Sequence, residues 1–179
     1  MTIHAMIDLE TLGTKPDSVI LTIGATKFDP NEYGKIYQDF YYRVDVDEQV
    51  SMGRTIDEDT LSWWGQQEAD VVEEALGDHN RTSVSEVMKS LNKWCVGVDA
   101  FWCQGTAFDF PIMESLYRQL DHHIPWAFWR VRDSRTLFQI MPKDPRKEIK
   151  FAAHNALEDA RVQALCVQQT LQQLGLTVK

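Results

Sequence analysis

Apolar and polar positions alternate through Ile3-His4-Ala5-Met6-Ile7-Asp8-Leu9-Glu10-Thr11, with Ile3, Ala5, Ile7 and Leu9 on one face and His4, Met6, Asp8 and Glu10 on the other. A period of two predicts a strand and puts Asp8 and Glu10 side by side. Val19 to Phe28 and Ile36 to Val44, rich in β-branched and aromatic residues, read as two further strands joined by a turn around Pro30-Asn31-Glu32-Tyr33-Gly34. Asp57 to Gln67 and Ala69 to Leu76 read as helices, and Ser83-Val84-Ser85-Glu86 has capping-box spacing for a helix to about Cys95. An apolar strand at Ala100 to Cys103 precedes a helix from Phe110 to Leu120, with Pro111 in its first turn. Phe128 to Val131 reads as a fifth strand and Arg135 to Ile140 as a short helix. The last pattern is the longest: Leu157, Ala160, Ala164, Val167, Leu171 and Leu174 recur at three- and four-residue steps. Asn155 fits as its N-cap, Glu158 three residues later completes a capping box, and Gly175 marks the stop.

These elements describe an α/β chain whose central mixed five-stranded sheet is flanked by helices. Among the described sequence features there is no internal repeat, linker or low-complexity segment, so residues 1–179 are expected to form a single domain. Met6 and Phe108 are read as core, and Trp126 and Trp129, with Phe128, as cover for the sheet. Trp63 and Trp64 stand about 100° apart around a helix axis, so one is expected to pack and the other to face substrate or a second subunit.

Three separated segments carry candidate chemistry. Two carboxylates held together at Asp8 and Glu10 repel each other unless a cation lies between them, and hard divalent ions prefer such oxygen ligands. An edge strand with two solvated acids would explain the pair equally simply. Asp109 falls at the end of a strand or the first turn of the next helix, where α/β proteins bind ligands, and where an aspartate also serves as an N-cap. His154 stands just outside the terminal helix and Asp159 in its first turns, so both can face one site, although an acid there also suits the helix dipole.

Together, Ile7-Asp8-Leu9-Glu10-Thr11, Phe108-Asp109, and His154 with Asp159 resemble the DEDDh, or DnaQ-like, class of 3′-5′ exonucleases. The separation of His154 from Asp159 marks the histidine type of that superfamily. Trp63-Trp64 and Trp102-Cys103-Gln104-Gly105-Thr106-Ala107-Phe108-Asp109-Phe110-Pro111 resemble its phage and prophage subgroup, which includes a T-even phage exonuclease A and a mycobacterial exoribonuclease. One departure is that many relatives carry His or Asn shortly before the middle aspartate, where this chain has Gln104-Gly105-Thr106. The resemblance implies a ribonuclease H-like fold and a metal set of Asp8, Glu10, Asp109 and Asp159 holding two divalent ions, Mg²⁺ or Mn²⁺. It makes His154 the general base, a role suited to the side chain that exchanges protons near neutral pH. Leu12, as a wedge, and Gly13 are placed to meet the terminal nucleotide, and Thr11 and Phe108 adjoin them as substrate contacts.

Composition adds a partner argument. The formal net charge is −9, but Asp45 to Glu86 alone balances to −10 and Arg130 to Lys150 to +4. That basic stretch ends just before His154, so Arg146 and Lys147 are candidates to guide a phosphate backbone; an ordinary solvated loop is the alternative. The chain has 44% hydrophobic and 25% charged residues, with no run of about 18 apolar residues for a membrane span and no signal-peptide profile. Cys95, Cys103 and Cys166 lack paired metal-ligand spacing, which suggests reduced thiols and a cytoplasmic protein. The leading expectation is a two-metal 3′-5′ exonuclease releasing nucleoside monophosphates from single-stranded nucleic acid, DNA slightly before RNA. An RNA-trimming exoribonuclease comes next, then an internal cutter of the ribonuclease H type, and last an inactive nucleic-acid-binding or assembly module. A homodimer through the Trp63-Trp64 helix and the acidic middle is a further candidate.

Overall fold

A computed structural model describes residues 2–149 and 154–178. Its strands are β1 (His4–Thr11), β2 (Ile20–Phe28), β3 (Ile36–Val44), β4 (Arg81–Thr82), β5 (Ala100–Cys103) and β6 (Val131–Asp133). They form one sheet in the order β4-β3-β2-β1-β5-β6. The β1-β2-β3 meander is antiparallel, while β5 runs parallel to β1, β6 parallel to β5, and β4 parallel to β3. The helices are α1 (Val46–Ser51), α2 (Glu58–Trp64), α3 (Ala69–Leu76), α4 (Val84–Trp94), α5 (Asp109–Gln119), α6 (Ser134–Gln139) and α7 (Ala156–Gln173).

Alternation along β1 sorts its side chains between two helix layers. Ala5, Ile7 and Leu9 join Val87, Leu91, Met113, Leu116 and Tyr117 of α4 and α5 in one core. Met6 joins Phe28, Trp102, Phe138 and the Ala160, Ala164, Val167 and Leu171 positions of α7 in the other. β1 is therefore the covered middle of the sheet rather than an exposed edge, and Asp8 and Glu10 continue the α7 face beyond its apolar part.

Close approach of α7 to the sheet depends on Gly24, which pairs across from Asp8. A Cβ at Gly24 would lie 2.1 Å from the backbone carbon of Ala156 and 2.2 Å from the Leu157 nitrogen. Asn155 caps the helix as expected, its side-chain oxygen accepting from the Leu157 and Glu158 amides at 3.1 Å. Glu158 does not close the capping box; it pairs with Arg161 instead. Gly175, at φ +64°, ends the helix in the left-handed region. At α4 the expected Ser83 cap bond is absent, and Glu48 of α1 accepts from the Val84 amide at 2.8 Å.

Three expectations are corrected. Among the described residues the sheet has six strands rather than five, two-residue β4 being too short to show a period in sequence. Phe128–Arg130 is a 3-10 turn, and the strand lies later, at Val131–Asp133. The polar Asp133 ends this strand because its carboxylate caps α6 through the Arg135 amide, a local demand that a search for apolar runs passes over. Phe128 and Trp129 consequently do not cover the sheet, being 83% and 65% exposed, whereas Trp126 is packed among Phe101, Phe110 and Tyr117. α1 lacks an amphipathic period and was not expected. It is held by Asp45, which caps it, and by Gln49, whose amide bonds both the nitrogen and oxygen of Ile20 at 2.8 Å.

Candidate active site

Parallel pairing of β5 with β1 brings the start of α5 beside the C-terminal half of β1, and α7 crosses the same end. The carboxylates of Asp8, Glu10 and Asp159 converge there, with one oxygen of each lying within 4.8 Å of the others. Asp109 stands behind them, 2% exposed, with its carboxylate held by the Cys103 thiol and by backbone N–H groups including that of Leu9. All four line one cleft of about 640 Å³, together with His154, Phe108, Gln104, Arg135, Arg146, Lys147 and Gln163.

The electrostatics express what happens when four acids are brought under partial cover without a counter-charge. Burial, then Asp109, Glu10 and Asp159, push the Asp8 carboxyl well above the ordinary range. Burial followed by Asp159 and Asp109 raises Glu10 to about 8. Burial also raises Asp109 to about 7, against the pull of the Cys103 and backbone hydrogen bonds. Asp159 is raised to about 6 by burial, with the backbone N–H groups of His154 and Asn155 holding it down. Protons or cations can relieve this repulsion, and carboxylate oxygens at these separations suit hard divalent ions. The donor set therefore fits the binding of divalent metal.

His154 sits in the left-handed region at φ 68°, and its backbone N–H donates to Asp159 Oδ2 at 2.9 Å. That conformation, unusual outside glycine, turns its ring onto Trp63, edge to face with centroids 4.9 Å apart. Trp64, in contrast, is 1% exposed and donates to the Thr11 carbonyl at 3.0 Å. Trp64 is thus the packed member of the pair, and Trp63 is the exposed one beside His154.

A second hollow of about 500 Å³ opens beside the acids, lined by Thr11, Gly13, Thr14, Asp57, Trp63 and Phe108 among others. Phe108, expected in the core, bridges both: half-buried, it packs against the α4–α5 core and lines each hollow. Leu12 is a correction. It is 3% exposed and packed with Val19, Leu21, Trp64 and Ala75, so its side chain does not reach either hollow. The reason lies in the bend after β1, where the Leu12 amide and carbonyl pair with the Val19 carbonyl and Asp57 amide.

The basic stretch divides. Arg135, Arg146 and Lys147 reach the cleft, with Arg146 paired to Asp144. Arg132 turns back to the Trp129 carbonyl on the exposed edge, and Lys150 lies outside the described residues. Sequence reasoning missed Gln163, which donates through Nε2 to Asp8 Oδ1 at 2.9 Å. Its signal was present: Gln163 follows Asp159 by one helical turn and so shares its face.

Residues 3–171 match the family described as the 3′-5′ exoribonuclease Rv2179c-like domain. The exodeoxyribonuclease of Enterobacteria phage T4 is 23% identical, over 93% of this chain and 88% of its own. The nuclease domain of 3′hExo, a DEDDh family member bound to rAMP, shares the fold with a TM-score of 0.62 at 14% identity, over 96% of this chain and 92% of its own. Cell-death related nuclease 4 gives 0.67 at 18% identity over 98% of this chain; the chain spans 65% of that nuclease's length. With residues 3–171 matched, this chain belongs to the Rv2179c-like 3′-5′ exonuclease family, and it shares its fold with the nuclease domain of a DEDDh family member.

Proposed function

We propose that this exonuclease uses two divalent ions, Mg²⁺ or Mn²⁺, to remove nucleoside monophosphates from the 3′ end of a single-stranded nucleic acid, DNA before RNA. The observation that carries the reading is the convergence of Asp8, Glu10 and Asp159 to within 4.8 Å with His154 beside them. When bound, such ions neutralise the phosphodiester, orient the attacking water and stabilise the leaving 3′ oxygen. Asp8, Glu10, Asp109 and Asp159 are the residues that would hold them, with Asp8 at the centre of the acids. His154 takes a proton from the attacking water as its oxygen bonds phosphorus; the P–O3′ bond breaks, the 3′ oxygen of the shortened strand takes a proton from solvent, and the phosphate leaves on the released nucleotide. Thr11, Gly13, Phe108 and Trp63 receive the terminal nucleoside in the second hollow. Arg135, Arg146 and Lys147 meet the backbone of the strand on the other side of the acids.

Residues 1–179 act as one exonuclease domain in this reading, supported by the single sheet and the family match over 3–171. Three free, buried cysteines suit a reducing compartment, and no described helix is long and apolar enough to cross a membrane. The DNA preference leans on the phage T4 relative, whose name specifies DNA; the family description, which specifies RNA, supports the second reading of an exoribonuclease. Strands of DNA and RNA with one sequence, labelled at the 5′ end and incubated with Mg²⁺, Mn²⁺ or EDTA, decide between them. A ladder shrinking from the 3′ end with metal, faster on DNA, is expected. Faster RNA loss selects the second reading, and internal fragments or metal-independent products defeat both.

A further inference from the structure

Gln163 is 6% exposed on α7, and its two amide ends are in different situations. Nε2 donates to Asp8 Oδ1 at 2.9 Å, whereas Oε1 is buried at the wall of the acidic cleft with no hydrogen-bond partner among the described residues. The nitrogen is the end turned toward Asp8, which as an ionised metal ligand would accept hydrogen bonds and donate none. Reversing the amide would set two oxygens against each other. That leaves a buried acceptor without a partner on a residue that lines the cleft, and burying an unmatched amide oxygen costs about 1–3 kcal/mol. An apolar side chain of the same length would fill the position without this cost.

We propose that Gln163 is a positioning residue for the metal centre: its N–H fixes the rotation of Asp8, and its carbonyl oxygen accepts from a water in the shell of a bound divalent cation. The inference rests on the metal-dependent reading above. Fixing Asp8 Oδ1 from the α7 side would leave Oδ2 and a remaining Oδ1 lone pair free for a bound cation. Asp159 and Gln163, one turn apart on α7, then address the centre together, the first as ligand and the second through Asp8 and water. Partners of this kind, one step removed from the metal, typically contribute about 10–100-fold in metal affinity or activity.

The test compares wild type, Q163M and Q163E by calorimetric Mn²⁺ titration and by thermal melting with and without Mn²⁺. Q163M keeps length and helix preference while removing both donor and acceptor. It is expected to weaken Mn²⁺ binding about tenfold or more, and to melt no lower than wild type without metal, because the unmatched oxygen has gone. Its stabilisation by Mn²⁺ should shrink accordingly. A side chain that merely packs would lower both melting temperatures alike and leave Mn²⁺ affinity unchanged, and that result overturns the proposal. Q163E keeps an acceptor but loses the donor to Asp8, so its Mn²⁺ affinity should exceed that of Q163M; equal losses overturn the role given to the oxygen. Wild type that binds Mn²⁺ no better than D8A would instead defeat the metal reading itself.

Discussion

At the scale of single residues, Asp8 and His154 make opposite demands on the site. Asp8 faces Glu10, Asp109 and Asp159 and is strained by all of them when no cation is near. Asp8→Ala should therefore abolish hydrolysis and metal binding, while the metal-free protein stays folded and melts no lower, since a repelling carboxylate is gone. Normal cleavage of labelled oligonucleotide by D8A, prepared free of wild type, would remove Asp8 from the centre. His154 contributes no carboxylate and reaches the acids only through its backbone N–H, at 2.9 Å from Asp159. His154→Ala should cost about 10²–10⁴-fold in rate, the usual range for a general base, with Mn²⁺ affinity close to wild type. A loss of Mn²⁺ affinity as deep as that of D8A would make His154 a ligand instead.

At the scale of elements, the site depends on how near α7 can come to the sheet. Gly24→Ala would put a methyl carbon 2.1 Å from the Ala156 backbone, and main chain cannot yield as a flexible side chain does. The N-terminus of α7 must move, taking His154 and Asp159 with it. Loss of about 1–3 kcal/mol on chemical denaturation is expected, the scale of overpacking in a core, together with weaker Mn²⁺ binding. Full stability and full Mn²⁺ affinity in Gly24→Ala would show that the contact does not position the site. The α7 pattern, its Asn155 cap and the alternation of β1 were all legible in sequence because each is a local demand of period or capping. The approach at Gly24 was not, since it depends on a strand 132 residues away in sequence. For the same reason Leu12 was misread: nothing local distinguishes a side chain bent into the core from one left at the cleft. β6 begins three residues later than expected because Phe128 and Trp129 look like a strand while lying exposed, and Arg132 and Asp133 do not look like one.

At the scale of the whole molecule, the clustered acids make stability depend on pH in a direction opposite to that of ordinary salt-bridged carboxylates. Glu10, raised from 4.5 to about 8, and Asp109, raised to about 7, hold protons more tightly in the folded chain than in the unfolded one. Their contribution is complete below the unfolded values and is lost as pH rises through the folded ones, at up to about 1.4 kcal/mol per pH unit for each group. His4 acts the other way. Burial lowers it from 6.5 to about 4, so the folded chain gains stability as pH rises across that interval. Its neutral ring accepts from Trp102 Nε1 at 2.9 Å, deep between β1 and β5. Below about 6.5 the two effects oppose each other, and between about 6.5 and 8 only the acids remain. The melting temperature of the metal-free protein should accordingly fall over that upper interval. Glu10→Gln, which cannot ionise, should flatten the fall, and saturating Mn²⁺ should remove it, because a cation then does what the protons did. Since binding displaces protons from these carboxyls, Mn²⁺ affinity should rise over the same interval. Melting curves recorded at half-unit steps of pH, with EDTA and with Mn²⁺, test this directly. A metal-free melting temperature that holds or climbs from pH 6.5 to 8 would mean that the acids are not under the mutual repulsion from which the metal centre was inferred.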